Sequence, residues 1–239
     1  MSMIRRLLPP PSVLFSNNHL LVVNKAPGWS SMPTKSTPEK SLLDHLIARK
    51  LGGGSENNFL IPLHRIDQPC SGVMLLAKTS KAASRVTQIW KKHKVEKTYL
   101  CVLEHPLVDL ADEWQLLEGW MPRGKTKGSV TIHRQPSDEL RHVSLEWRSL
   151  KRNLVQVKTH MGARHMVRAL LASEGHSLAG DLRYRARRGL PDSSVALHAE
   201  SVTLPESFKL GSLEQTFFEA PMPTTWEKYF GIEGKRGGD

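Results

Sequence analysis

The chain has 239 residues, 39% of them hydrophobic, with 34 Lys and Arg against 23 Asp and Glu, a net charge of +11. It is long enough to bury a sizeable core and too apolar for a disordered chain, and no apolar run approaches the roughly 18 residues of a spanning helix. Two cysteines, Cys70 and Cys101, make no disulfide framework and imply free thiols in a reducing compartment.

The opening Met1 to Leu8 is basic and apolar and stops at Pro9-Pro10-Pro11, too early for a secretory signal. Residues 1–15 therefore read as an extension with a frayed end, the remnant of an organellar leader being the alternative. Leu20 to Val23 is a short apolar strand, turned by Pro27-Gly28. Ser41 to Leu51 reads as a helix with Leu42, Leu43, Leu46 and Ile47 on one face, stopped by Gly52-Gly53-Gly54, and Gly52 to Asn58 as a flexible loop. Val73 to Ala77 is expected to be a strand buried on both faces, since five consecutive apolar residues leave no solvent side. Asp67 lies just before it, at the mouth of a core element, where an unpaired charge is costly.

Ser80 to Lys92 reads as a second helix, capped by Ser80, with Ala82, Ala83, Val86, Ile89 and Trp90 inward and Lys and Arg outward. Lys97 to Leu103 is a strand. Trp114 to Ile132 reads as two strands around a hairpin at Gly124 to Gly128. Val143 to Trp147 and Leu154 to Thr159 form an antiparallel pair turned by Arg152-Asn153. Ala163 to Ser173 is a third helix, stopped by Gly175, and Val195 to Leu204 is a late strand. Strands outnumber helices, so the expected class is α+β, a mixed or mostly antiparallel sheet flanked by a few helices, in one domain over 16–230 with a tail at 231–239.

The basic excess is clustered. Lys78 to Lys97 holds seven basic residues and one acid, Glu96; Arg183, Arg185, Arg187 and Arg188 form a second group; Arg123, Lys125, Lys127, His133 and Arg134 form a third. Such segments point to a nucleic acid partner. The eleven histidines show no metal pattern: there is no His-Glu-x-x-His or Cys-x-x-Cys, and His160 and His165 stand five apart, so no metal site is expected.

Three separated segments supply unusual residues: Asp67 with Arg65 nearby, Tyr99 in Lys97-Thr98-Tyr99, and Arg168 on the third helix. With their surroundings they resemble the RluA-type pseudouridine synthases. Asn24-Lys25-Ala26-Pro27-Gly28 is similar to that family's opening turn, and His64 to Gly72 with the following Leu75-Leu76-Ala77-Lys78 is similar to its catalytic loop. Gly175 to Tyr184, Ala196-Leu197-His198-Ala199 and Phe218-Glu219-Ala220-Pro221 match in the same order.

The resemblance implies the pseudouridine synthase fold, a catalytic cleft across the sheet, no cofactor, and isomerisation of uridine in rRNA or tRNA, free or in a ribosomal particle. Apart from the resemblance, a monomer inside the cell is expected, in the cytoplasm, or in a mitochondrion or other organelle. Asp67 would be the catalytic carboxylate, attacking sugar or base. Arg168 would pair with it and keep it ionised, and Tyr99 would lie against the uracil and help remove the C5 proton. His64 and Arg65 would fill the space of the displaced base or hold phosphates. Lys91, Lys92, Lys94, His165 and Arg183 would bind RNA.

One segment departs from the pattern. Met161-Gly162-Ala163-Arg164-His165-Met166-Val167-Arg168 stands where the family has Thr-Gly-Arg-Thr-His-Gln-Ile-Arg, and Cys70 replaces a Thr. Met166 offers no amide hydrogen bonds, and Arg164 is expected to take over the phosphate contact. The second reading is a catalytically inactive RNA-binding or ribosome-assembly factor on the same fold. A hydrolase is disfavoured by the lack of a Gly-x-Ser-x-Gly elbow.

Overall fold

The computed structural model describes residues 8–35, 41–53, 58–108, 112–124, 128–211 and 215–233. Its strands are β1 (Ser12–Ser16), β2 (Leu20–Lys25), β3 (Ile61–Pro62), β4 (Ser71–Ala77), β5 (Glu96–Val102), β6 (Gln115–Pro122), β7 (Leu140–Lys151), β8 (Leu154–Thr159), β9 (Leu197–Thr203) and β10 (Phe217–Glu219). The helices are α1 (Leu42–Ala48), α2 (Ser80–Lys91), α3 (Met166–Ser173) and α4 (Thr225–Phe230), with a 3-10 turn at Leu182–Tyr184.

The strands form one sheet in the order β1-β2-β4-β9-β5-β8-β7-β6, with β10 beside β9 and β3 beside β4. Every pairing is antiparallel except β4 with β9, which run parallel over two residue pairs, Ser71 with His198 and Gly72 with Ala199. This short junction lies at the centre of the sheet, and the Asp67 loop enters it. At Gly72 the backbone is left-handed (φ 119°), and a Cβ there would stand 2.2 Å from the Ala199 carbonyl oxygen, so only glycine fits.

The apolar run of β4 is buried completely, as expected, because the sheet is covered on both sides. Val73, Leu75 and Ala77 pack with Ala82 and Val86 of α2 and Phe218 of β10. Met74 and Leu76 face the opposite cluster with Leu42 and Leu46 of α1 and Leu170 and Leu171 of α3. A fully covered central strand has no solvent face, and its sequence shows none.

Several boundaries differ from expectation. Helix α1 ends at Ala48, before the glycines: Lys50 is left-handed (φ 55°), and the Asn58 side chain binds the Ile47 carbonyl and the Gly52 N–H. Of the expected loop at 52–58, residues 54–57 lie outside the described residues, and Gly53 and Phe59 form a bridge. The cap of α2 is Thr79 rather than Ser80, its hydroxyl accepting from the Ala82 N–H.

Of the two strands expected around 124–128, the first is β6, while the returning one is reduced to a single antiparallel bridge, His133 with Trp120. β6 pairs over eight positions with β7, and the segment 128–134 joins β6 through the backbone bridge of Trp120 with His133 and the Ile132 side chain over Gly119; Lys125 to Lys127 lie outside the described residues. The long alternating β7 pairs along one edge of β6 and offers buried Leu140, Val143 and Leu145, and the returning segment bridges to β6 at Trp120. β1 lies within the stretch set apart as an extension and pairs with β2 as an edge of the sheet. No helix among the described residues is long and apolar enough to cross a membrane.

Candidate active site

The Asp67 loop is held by the turn after β2. Lys25 is fully buried, and its ammonium donates to the carbonyls of Trp29 (2.9 Å), Cys70 (2.6 Å), Ala26 (3.2 Å) and Gln68 (3.4 Å). Burial lowers its pKa to about 8, against the pull of the Cys70 and Asp67 side chains. Ser31 both donates to the Ile66 carbonyl (2.8 Å) and accepts the Ile66 N–H (3.0 Å), and Gly28 and Gln68 exchange two bonds of 2.8 and 3.1 Å. From the other side the Val195 N–H reaches the Pro69 carbonyl at 2.9 Å. The residues flanking Asp67 are thus fixed from two sides, leaving its carboxylate free to face α3.

Arg168, in the first turns of α3, meets that carboxylate: its NH1 donates to Asp67 Oδ2 at 2.9 Å. The same guanidinium grips Asp181 in a two-point fork, Nε to Oδ2 at 2.6 Å and NH2 to Oδ1 at 2.7 Å. Asp181 is 1% exposed and Arg168 is 4% exposed. Burial acts to lower the Arg168 pKa, but the Asp181 hydrogen bonds and surrounding negative groups outweigh it and push it up. One cation therefore serves two carboxylates. Asp181 holds the fork rigid, and an N–H of the free Nη1 end is aimed at Asp67.

The cleft beside Asp67 is narrow, about 60 Å3, and is lined by Arg65, Tyr99, Cys70, Met161, His165, Met166 and Arg168 among others. Tyr99 reaches it from β5. Its hydroxyl pKa is pushed up by burial and then by the Asp67 charge. A neutral phenol suits packing against a base.

Other expected site residues are dispersed. Arg65 is exposed at the cleft wall. His64 is half-buried: its Nε2 accepts the Leu75 N–H at 3.0 Å and its ring stacks on Trp90 at 4.7 Å. Burial, with Lys97 nearby, drops its pKa to about 3, so a neutral imidazole serves the fold there. His165 is also buried rather than open to phosphates. It faces Asp67 Oδ2 at 3.6 Å and Tyr184 Oη at 3.1 Å, and burial lowers its pKa.

Lys91, Lys92 and Lys94 are exposed at the end of α2. Arg164 is half-buried beside the cleft. Arg183 is exposed and donates to the Gly128 carbonyl at 3.0 Å.

Helix α3 begins at Met166, three residues later than expected, because His165 is left-handed (φ 59°) and breaks the turn before it. Buried Lys97 holds the preceding segment through the Met161 carbonyl. Sequence reasoning missed Asp181 and Lys25. Both stood inside the quoted family-like segments, and their burial as charged residues is the signal that separates them from their neighbours.

The model of the RNA pseudouridylate synthase family matches residues 19–173, a span that holds Lys25, Asp67, Tyr99 and Arg168. The chain belongs to the RNA pseudouridylate synthase family. It is an RNA pseudouridine synthase, an isomerase, of the RluA type. It is 28% identical to ribosomal large subunit pseudouridine synthase D of Zymomonas mobilis, over 92% of this chain and 72% of that one. It is 25% identical to tRNA pseudouridine synthase C of Pectobacterium carotovorum, over 80% of this chain and 54% of the longer relative. The solved structure of human RNA pseudouridylate synthase domain containing 4 superposes with a TM-score of 0.67 at 21% identity, covering 90% of this chain and 89% of that one, which shows a shared fold. This synthase therefore has the α+β architecture expected of its family, with the Asp67 loop at the centre of the sheet.

Proposed function

We propose that this synthase isomerises uridine to pseudouridine in rRNA or tRNA, with Asp67 as the catalytic carboxylate. The observation that carries the reading is the Asp67 carboxylate held 2.9 Å from a guanidinium and facing a cleft with Tyr99 on its wall. The reaction breaks the N1–C1′ bond and forms a C5–C1′ bond; C5 loses a proton and N1 gains one. A uridine must first leave its stack, at a cost of a few kcal/mol, to enter such a pocket. Asp67 then meets the sugar or the base as nucleophile or charge partner. Arg168 keeps it ionised and aimed, and Tyr99 packs on the ring. Arg65, at the cleft wall, is placed to hold a flanking phosphate.

The names of the relatives cited above, one acting on the large ribosomal subunit and one on tRNA, support an RNA substrate of either kind. Ala163 and Met166, where the family carries Arg and Gln, favour the alternative, an inactive RNA-binding factor. The test is to incubate the protein with RNA from cells lacking it and map pseudouridines, with Asp67→Ala alongside. New pseudouridines with wild type and none with Asp67→Ala support the catalytic reading. Tight RNA binding without any new pseudouridine by wild type overturns it in favour of the alternative.

A further inference from the structure

Between β6 and β7 the chain makes an excursion whose segment 128–134 is seated on the catalytic elements. Val130 is buried in the core cluster that holds α3. Ile132 lies over Gly119 so closely that a Cβ there would stand 2.5 Å from its Cγ2. His133 exchanges backbone bonds of 2.9 and 3.0 Å with Trp120, and Arg134 pairs with Glu174 at the end of α3 at 2.6 Å. One contact leads inward: the Val130 N–H donates to Tyr184 Oη at 2.8 Å.

From there the direction of each hydrogen bond can be assigned. Val130 N–H only donates, so Tyr184 Oη accepts and keeps its own proton to give. His165 Nδ1 stands 3.1 Å from that oxygen, placed to accept a hydrogen bond from it. The neutral imidazole then carries its proton on Nε2, which faces Asp67 Oδ2 at 3.6 Å. The opposite tautomer would aim a lone pair at the carboxylate, which is repulsive. The Tyr184 ring also lies 5.1 Å from the Arg168 guanidinium, so the same side chain braces both partners of Asp67.

We infer that Tyr184 and His165 are positioning residues that couple the seat of segment 128–134 to the Asp67 carboxylate, so that this segment governs turnover as well as RNA contact. The inference deepens, and rests on, the reading of Asp67 as the catalytic carboxylate. At 3.6 Å the last link is longer than a hydrogen bond, and the coupling requires it to shorten when substrate fills the cleft. Arg123 and His133, exposed on the excursion, give it the charge to sense a phosphate backbone.

The experiment measures the single-turnover rate and half-saturating RNA concentration for pseudouridine formation on RNA from cells lacking the protein. Tyr184→Phe removes only the hydroxyl; Ile132→Ala empties the seat over Gly119 at a residue that does not line the cleft. Each is expected to lower the rate about tenfold with half-saturation unchanged, and the double variant to fall no further than either alone. Nitrogen NMR of the wild-type His165 ring reads the relay without any variant. A proton on Nε2 is expected, and a proton on Nδ1 overturns the inference. If Asp67→Ala retains activity, the catalytic reading itself fails. If Asp67→Ala is inactive while both other variants keep the wild-type rate, or change half-saturation alone, only the coupling is overturned.

Discussion

At the scale of single residues, the site is organised by one buried cation with two anionic partners. Arg168 satisfies Asp181 with a fork and Asp67 with an N–H of Nη1. Removing the cation leaves Asp181, 1% exposed, without a countercharge. Arg168→Met is therefore expected to destabilise the fold by about 3–5 kcal/mol in urea unfolding. Adding Asp181→Leu should restore much of that loss, because the buried charge is then gone, but it should not restore pseudouridine formation. A single variant as stable as wild type would show that the pair is not desolvated. Arg168→Lys is a sharper probe of geometry: an ammonium keeps the charge but cannot make the planar fork, so stability should fall less than turnover.

At the scale of elements, α2 shows how one helix divides its labour. Its apolar stripe, Ala82 and Val86, packs on β4, and Thr79 caps it in the way a helix start requires. Its end carries Lys91, Lys92 and Lys94 into solvent. We expect those lysines to meet RNA phosphates. Changing all three to Gln should then reduce the salt slope of RNA binding by about 2 to 3, with the thermal midpoint of unfolding nearly unchanged. A slope equal to wild type would place that end of α2 away from the RNA. Helix α3 is the opposite case. Met166 to Leu171 are all buried, Arg168 among them, so the helix acts as a rigid mount for the guanidinium and offers little surface to RNA.

At the scale of the whole molecule, the two halves of the sheet meet at the parallel junction of β4 and β9, and a buried histidine closes that seam. His198 is wholly buried, with Nδ1 2.8 Å from Ser71 Oγ and Nε2 donating to the Ala220 carbonyl at 3.2 Å. Burial lowers its pKa from 6.5 to about 4, against the Ala220 hydrogen bond. The unfolded chain therefore takes up a proton near pH 6.5 that the native protein refuses until about pH 4, so stability is full above 6.5 and falls as the pH drops through that window. From pH 7 to pH 5 the loss through this residue is on the order of 2 kcal/mol. Urea midpoints at the two pH values should differ more for wild type than for His198→Asn. Equal differences would mean that the seam is not where acid sensitivity arises.

What could be read before any coordinates was local. The continuous apolar run at 73–77, the 3.6-residue stripe of α2 and a carboxylate at the mouth of a core strand each follow from periodicity and the cost of burying charge. The pairing of Asp67 with Arg168 came with the family-like segments around them. The tertiary structure alone decided that the segment returning after Gly124 keeps only one bridge to β6 while β7 pairs along its length, that His64 stacks on Trp90, and that Asp181 is the anchor of Arg168. Periodicity tells which face of an element is buried, whereas its neighbour is chosen by competition among distant segments. A hydrogen bond such as that between Val130 and Tyr184, 54 residues apart, leaves no trace in either local pattern.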